Sequence, residues 1–171
     1  MKPNSKPEER IGALLRGTGL TLAAAESCTG GNISHLITTV PGASEYYLGS
    51  VTSYAVMVKN KLLNVPLSTV EENGIVSGHV AAAMAEGVRE LMGSTFAVAT
   101  TGWADAYGDE REPAGTCWVA IAGPMGTETK RVRSELSRIL NIDAFSSSAL
   151  ETLARYISKC INDVESADKT E

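Results

Sequence analysis

The sequence predicts an α/β domain, a three-layer α/β/α sandwich around a mixed sheet. Short apolar runs of strand length (20–25, 95–101 and 116–122) alternate with stretches whose apolar residues recur every three or four positions. The junction Ala24-Ala25-Glu26-Ser27-Cys28-Thr29-Gly30-Gly31 reads as strand, tight glycine turn and helix mouth, the join expected of a βα unit. A turn at Gly123-Pro124-Met125-Gly126 folds one late strand back on the next, so the sheet cannot be all parallel.

The elements follow in order. Ser5-Lys6-Pro7-Glu8 has the form of a capping box, opening a helix with Ile11, Leu14 and Leu15 on one face and closing at Gly17 and Gly19. The strand over 20–25 leads into a helix over 32–39, carrying Ile33, Leu36, Ile37 and Val40 and stopped by Pro41-Gly42. Residues 44–54, rich in Tyr, Val and Thr, favour a strand. Helices are expected over 55–63, broken at Val65-Pro66, and over 67–72, closed by Asn73-Gly74. Ser77 caps a stronger helix with Val80, Met84, Val88 and Leu91 on one side and small alanines beside them.

A buried strand over 95–101 is followed by a polar loop from Gly102 to Gly115, long enough to be functional or mobile. The strand over 116–122 turns into one over 127–133 whose Thr, Glu and Lys suit an exposed edge. A last helix carries Leu150, Leu153, Ile157, Ile161 and Val164. The expected organisation is a single domain over residues 1–164 with a disordered tail over 165–171.

Composition removes several function classes. The 171 residues carry a net charge of −5 without a basic block, which argues against nucleic acid as a partner. No apolar run is long enough to span a bilayer, and the first residues lack a signal-peptide core, so no membrane is expected and a cytoplasmic address follows. Cys28, Cys117 and Cys160 are odd in number and form no C-x-x-C, so neither zinc nor a disulfide framework is expected. Cys28 would be a nucleophile only if its surroundings lowered its pKa. His35 and His79 fit no metal-ligand spacing, which makes a lysine the better base for any hydrolytic chemistry.

A serine and a lysine can cleave an amide when burial or neighbouring charge keeps the lysine neutral, so that it takes the serine proton, often through a relaying hydroxyl. Tyr54 and Lys59 lie across a strand-to-helix junction and could face one site. Ser44 at the strand entry is a candidate nucleophile, with Ser27 at the glycine turn its rival. The N–H groups of Gly30 and Gly31 could serve an oxyanion or a phosphate. The plainer readings are a solvated Lys59, a half-buried Tyr54, a capping Ser44 and an ordinary βα turn.

Taken in order, Ala25-Glu26-Ser27-Cys28-Thr29-Gly30-Gly31, Val40-Pro41-Gly42-Ala43-Ser44, Val51-Thr52-Ser53-Tyr54 with Lys59, Leu63-Asn64-Val65-Pro66, Glu72-Asn73-Gly74-Ile75-Val76-Ser77 and Gly115-Thr116-Cys117-Trp118-Val119 closely resemble the CinA C-terminal domain family, over roughly residues 8 to 160. The resemblance implies an α/β/α fold with a mixed, mostly parallel sheet of about five strands and a homodimer or larger homo-oligomer. It implies hydrolysis of nicotinamide mononucleotide to nicotinic acid mononucleotide and ammonia, without metal or cofactor. It puts Ser44 as nucleophile, Tyr54 as relay and Lys59 as base. Glu26, Ser27, Thr29, Gly30, Gly31, Thr101, Gly102, Gly115 and Thr116 would then form the substrate pocket.

The chain departs from that pattern where the family carries Thr-Gly-Ile-Ala-Gly-Pro and a glycine cluster. Here the segment is Thr101-Gly102-Trp103-Ala104-Asp105-Ala106, followed by Asp109-Glu110. A carboxylate about 4 Å from a substrate phosphate would cost about 4 kcal/mol at an effective dielectric near 20. The family's asparagine after the tyrosine gives way to Ala55-Val56, and its Phe-x-Gly-Asp-Arg to Leu136-Ser137-Arg138-Ile139-Leu140-Asn141. Two alternatives therefore stand beside the deamidase: an amide substrate without the phosphate, and a catalytically lapsed CinA-like protein that binds a ligand or partner.

Overall fold

The computed structural model describes residues 5–105 and 108–167. A five-stranded sheet of order β2-β1-β3-β4-β5 is built from β1 (Leu22–Glu26), β2 (Tyr47–Thr52), β3 (Phe96–Trp103), β4 (Thr116–Gly123) and β5 (Gly126–Arg133). β1 pairs in parallel with β2 and β3, while β4 runs antiparallel to both β3 and β5. Four strands thus share one direction and β4 alone opposes them, giving the mixed sheet expected from the sequence.

The helices are α1 (Pro7–Leu15), α2 (Asn32–Thr38), α3 (Val56–Leu63), α4 (Leu67–Asn73), α5 (Gly78–Met92) and α6 (Arg138–Ala167). On one face of the sheet Ile11, Leu15, Ile33, Ile37, Phe145, Leu150, Leu153 and Ile157 pack on Leu22, Phe96, Val98 and Ile121. On the other, Leu63, Val80, Ala81, Met84, Ala85 and Val88 pack on Ala23, Ala25, Ala97, Ala99 and Ala120. Alanines on that second face let α5 sit close to the sheet. The crossing of α5 with α3 is closer still: a Cβ added at Gly87 would lie 1.9 Å from the Leu63 carbonyl oxygen.

Four expectations shift. The first cap sits one residue later, with the Lys6 N–H donating to the Glu9 carboxylate at 3.2 Å. Ser44 does not open a strand; it lies in a single 3-10 turn, Ala43–Glu45, before β2. Gly102 and Trp103 belong to β3, because the ladder with β4 continues to the pair Trp103↔Thr116. The last helix begins at Arg138 and continues through Ala167, so residues 165–167 are helical; the rest of the expected tail lies outside the described residues.

The parallel strands β1, β2 and β3 all end on one edge of the sheet, and their exits bring Ser27, Ser53, Tyr54, Thr101 and Gly102 toward one place. Open α/β sheets gather ligands there. No helix among the described residues is long and apolar enough to cross a membrane.

Candidate active site

Lys59 is the centre of the arrangement. It lies on α3 with no exposed surface, although its neighbours Lys61 and Leu62 face solvent. Its Nζ donates to Ser27 Oγ at 3.0 Å, to the Ser53 carbonyl at 2.5 Å and to the Tyr54 carbonyl at 3.3 Å. Burial pushes its pKa down to about 8, against the opposing pull of Cys28. The structure therefore pairs a buried amine of lowered basicity with one serine hydroxyl, and that serine is Ser27.

Ser44 is not at this site. It is exposed before the start of β2, whereas Lys59 follows the end of that strand. Six residues of strand separate the two by about 20 Å at roughly 3.3 Å per residue. The structure thus brings Ser27, and not Ser44, to Lys59. Tyr54 lines the same cavity as Ser27, its hydroxyl accepts a bond from Arg138 at 3.1 Å, and Lys59 contacts Ser27 directly.

The turn that carries Ser27 is held from within. The Glu26 carboxylate is fully buried and accepts from Thr29 Oγ1 at 2.7 Å and from the N–H groups of Gly31, Ile33 and Ser34 at 2.9–3.1 Å. Thr100 Oγ1 donates to Thr29 Oγ1 at 2.8 Å, extending the network into β3. Gly30 and Gly31 take φ of +62° and +102°, the left-handed region that favours glycine. Gly30 N–H donates to the Ser27 carbonyl. The expected phosphate cradle at α2 is therefore closed: Glu26 occupies it as an internal anion, and Glu26, Thr29, Gly30 and Gly31 organise the turn without lining the cavity.

A cavity of 240 Å³ opens above Ser27, walled by Cys28, Tyr54, Val76, Thr101, Gly102, Trp103, Asp105 and Arg138. Thr101 and Gly102 thus line it directly. Gly102 admits no side chain, since a Cβ there would sit 2.5 Å from the Thr116 carbonyl oxygen. Thr101 Oγ1 donates to the Ile75 carbonyl at 2.9 Å and fixes the neighbouring wall. Gly115 and Thr116 stand apart: Gly115 lines an adjoining 640 Å³ cavity, and buried Thr116 accepts from Arg133 at 2.9 Å.

The mouth carries one cation that no sequence pattern singles out. Arg138, at the start of α6, donates to Asp105 at 3.0 Å and to Tyr54 Oη at 3.1 Å, and lines both cavities. Asp105 is thus paired with a guanidinium, and Asp109 and Glu110 do not line the cavity. Asp109 instead accepts from the N–H groups of Arg111 and Glu112 at 3.0 and 2.7 Å. Ala106 lies outside the described residues. Among the described residues no group of three or more His, Cys, Asp or Glu side chains could hold a metal ion.

Known proteins share this arrangement of chain. Residues 4–157 match the model of the CinA C-terminal domain. A CinA-like protein of Salinibacter ruber is 44% identical over 152 residues, covering 88% of this chain and 37% of that protein. A CinA-like protein of Synechococcus is 48% identical over 117 residues, covering 68% of this chain and 28% of its own length. The chain thus spans about a third of the curated relatives it matches. Among solved structures, a CinA superfamily protein of Klebsiella pneumoniae aligns at a TM-score of 0.85 with 27% identity, over 90% of this chain and 96% of that one. A competence/damage-inducible protein of Agrobacterium tumefaciens aligns at 0.81 with 29% identity, over 88% and 94%. The chain belongs to the CinA C-terminal domain family.

Proposed function

We infer that this domain is an amidohydrolase that removes ammonia from nicotinamide mononucleotide or a related small amide, with Ser27 as nucleophile and Lys59 as its base. One observation carries the reading: a fully buried lysine, its pKa lowered to about 8, bonded at 3.0 Å to a serine hydroxyl that opens on a cavity. A merely structural lysine gains little from such burial, since an unpaired buried ammonium is costly. A general base benefits directly, because only the neutral amine can accept a proton.

Neutral Lys59 takes the Ser27 proton as Oγ attacks the carboxamide carbon. The turn amide of Cys28, a residue that lines the cavity and whose N–H makes no hydrogen bond among the described residues, is the donor left for the developing oxyanion. Lys59 then returns its proton to the departing nitrogen, which leaves as ammonia and forms an acyl ester on Ser27. Water, deprotonated by Lys59, attacks that ester, releasing the carboxylic acid and restoring the serine. The carbonyls of Ser53 and Tyr54 hold Nζ on the line between serine and leaving group throughout. Arg138 at the mouth is the group suited to an anionic tail of the substrate, with Asp105 as the partner it would share.

Ammonia release from nicotinamide mononucleotide, by wild type, Ser27→Ala and Lys59→Ala, tests the reading. Turnover in the wild type and none in either variant is the expected result. Equal release by wild type and variants, or none from this substrate and from a panel of unphosphorylated carboxamides, would overturn it.

A further inference from the structure

We propose that Cys28 and Cys117 form an oxidation site for small hydroperoxides, closing to a disulfide that pulls Ser27 away from Lys59. Their sulfurs lie 3.6 Å apart and both side chains are buried. Neither needs the other for the chemistry described above. Cys28 follows the nucleophile on the turn, and Cys117 is on β4, two strands across the sheet. They meet across β3, where Gly102 is the partner of Cys117 and a side chain at that position would run into Cys117.

The site has an entrance and two unequal partners. Cys28 lines the 240 Å³ cavity, so a molecule the size of hydrogen peroxide reaches it from the mouth. Cys117, wholly buried behind it, is held as a thiol because burial pushes its pKa well up. Of the two, only Cys28 lines the cavity, so its sulfur is the one an entering oxidant meets first. Oxidation takes two steps. The Cys28 sulfur attacks one oxygen of hydrogen peroxide and breaks the O–O bond, the thiol proton passing to the departing oxygen, which gives a sulfenic acid and water. The Cys117 thiol then displaces the sulfenic hydroxyl as a second water, leaving the S–S bond. Two thiols lose two electrons in all, and one hydroperoxide accepts them.

A disulfide needs its sulfurs about 2.05 Å apart, so the pair must close by about 1.5 Å. Cys117 is fixed in the ladder of β4 between β3 and β5, whereas Cys28 is in a turn. The turn is therefore the part that moves, and Ser27 with it. A misplacement of about 1 Å at a reacting group costs on the order of a hundredfold in rate.

The test treats the whole reduced protein with hydrogen peroxide, alkylates the remaining thiols and digests without reduction. Trypsin separates the three cysteines, cutting after Arg16 and Lys59 around Cys28, after Arg111 and Lys130 around Cys117, and after Lys159 and Lys169 around Cys160. The expected product is a linked pair containing Cys28 and Cys117, with Cys160 recovered alkylated. Loss of the link after dithiothreitol completes the result. A digest with Cys28 carried on to sulfinic acid, or with all thiols alkylated and no linked pair, would overturn the site.

The effect on Ser27 rests on the proposed reaction and is read separately. Ammonia release should fall on the order of a hundredfold in step with the linked peptide and return with dithiothreitol as the link is lost. A link that forms without changing an active enzyme would overturn the coupling to Ser27. If the reduced protein releases no ammonia, the amidohydrolase reading fails, and the linked peptides still decide the oxidation site.

Discussion

The protonation of Lys59 gives the reaction a defined pH dependence. With a pKa of about 8 in the folded protein, Lys59 is protonated below that value and neutral above it. Only the neutral form can take the Ser27 proton, so kcat/KM for ammonia release should climb with pH and level off above about 8. The neutral fraction is about 1% at pH 6, about 10% at pH 7 and about 90% at pH 9, so the rate should rise roughly tenfold per unit on the acid limb. The limb should be absent from Lys59→Arg, whose guanidinium stays charged and cannot act as a base, and whose rate should fall by about 10²–10⁴. A stopped assay coupled to ammonia detection across pH 6 to 9.5, with folding followed by circular dichroism, measures both. A wild-type profile that is flat or falls over this range, on a folded protein, would refute the role given to Lys59. Stability carries the same signature with its own sign. The folded-state value lies below the unfolded one of about 10.4, so the unfolded chain binds the extra proton between the two, and stability should rise as pH increases from about 8 to about 10.

Three further outcomes follow from the geometry. Ser27→Ala should abolish turnover, whereas Ser44→Ala, altering an exposed residue at the far end of β2, should leave kcat/KM within about twofold of wild type; loss of activity in Ser44→Ala would reverse that assignment. Glu26→Ala leaves the N–H groups of Gly31, Ile33 and Ser34 at the α2 mouth without their acceptor, and should cost about 3 kcal/mol in urea unfolding, with Glu26→Gln intermediate. Arg138→Gln should raise KM for a phosphorylated amide by about tenfold with little change in kcat, and leave KM for an unphosphorylated amide nearly unchanged, because an ion pair at the mouth contributes to binding and not to bond cleavage.

The layering, the mixed sheet and the edge at which the site forms were legible because each rests on local pattern: apolar runs, glycine turns and a hairpin. Lys59 was legible as a candidate site residue from its place after Tyr54, but its burial was not, since helix α3 has only a weak apolar face and sends Lys61 and Leu62 outward. The position of Ser44 was in fact readable. It precedes the strand that Lys59 follows, and an extended strand cannot bring its own two ends together. The closure of the α2 mouth was not readable, because it depends on which way the side chain of Glu26, the last residue of β1, turns. Gly102 and Trp103 looked like loop because their strand character comes from pairing with Cys117 and Thr116, residues distant in sequence. The start of α6 was hidden because Ile139 and Leu140 are exposed there, and its first turns are tied down by Asn141, which donates to the Ala104 carbonyl at 2.9 Å.

Because Glu26 is part of the chain, the counterion of the α2 mouth can neither dissociate nor exchange with solvent. The field around Ser27 is then the same in the empty and the occupied protein, and salt that screens exposed charges has little hold on it. Such a floor requires no reorganisation when substrate arrives, and it does not reward one substrate over another for bringing a negative group. In the proposed reaction, selection among amides would fall to the rim, where Arg138, Asp105 and Tyr54 are exposed and open to substitution. Relatives could thus exchange rim residues to accept different tails while the nucleophile and its base stay where they are.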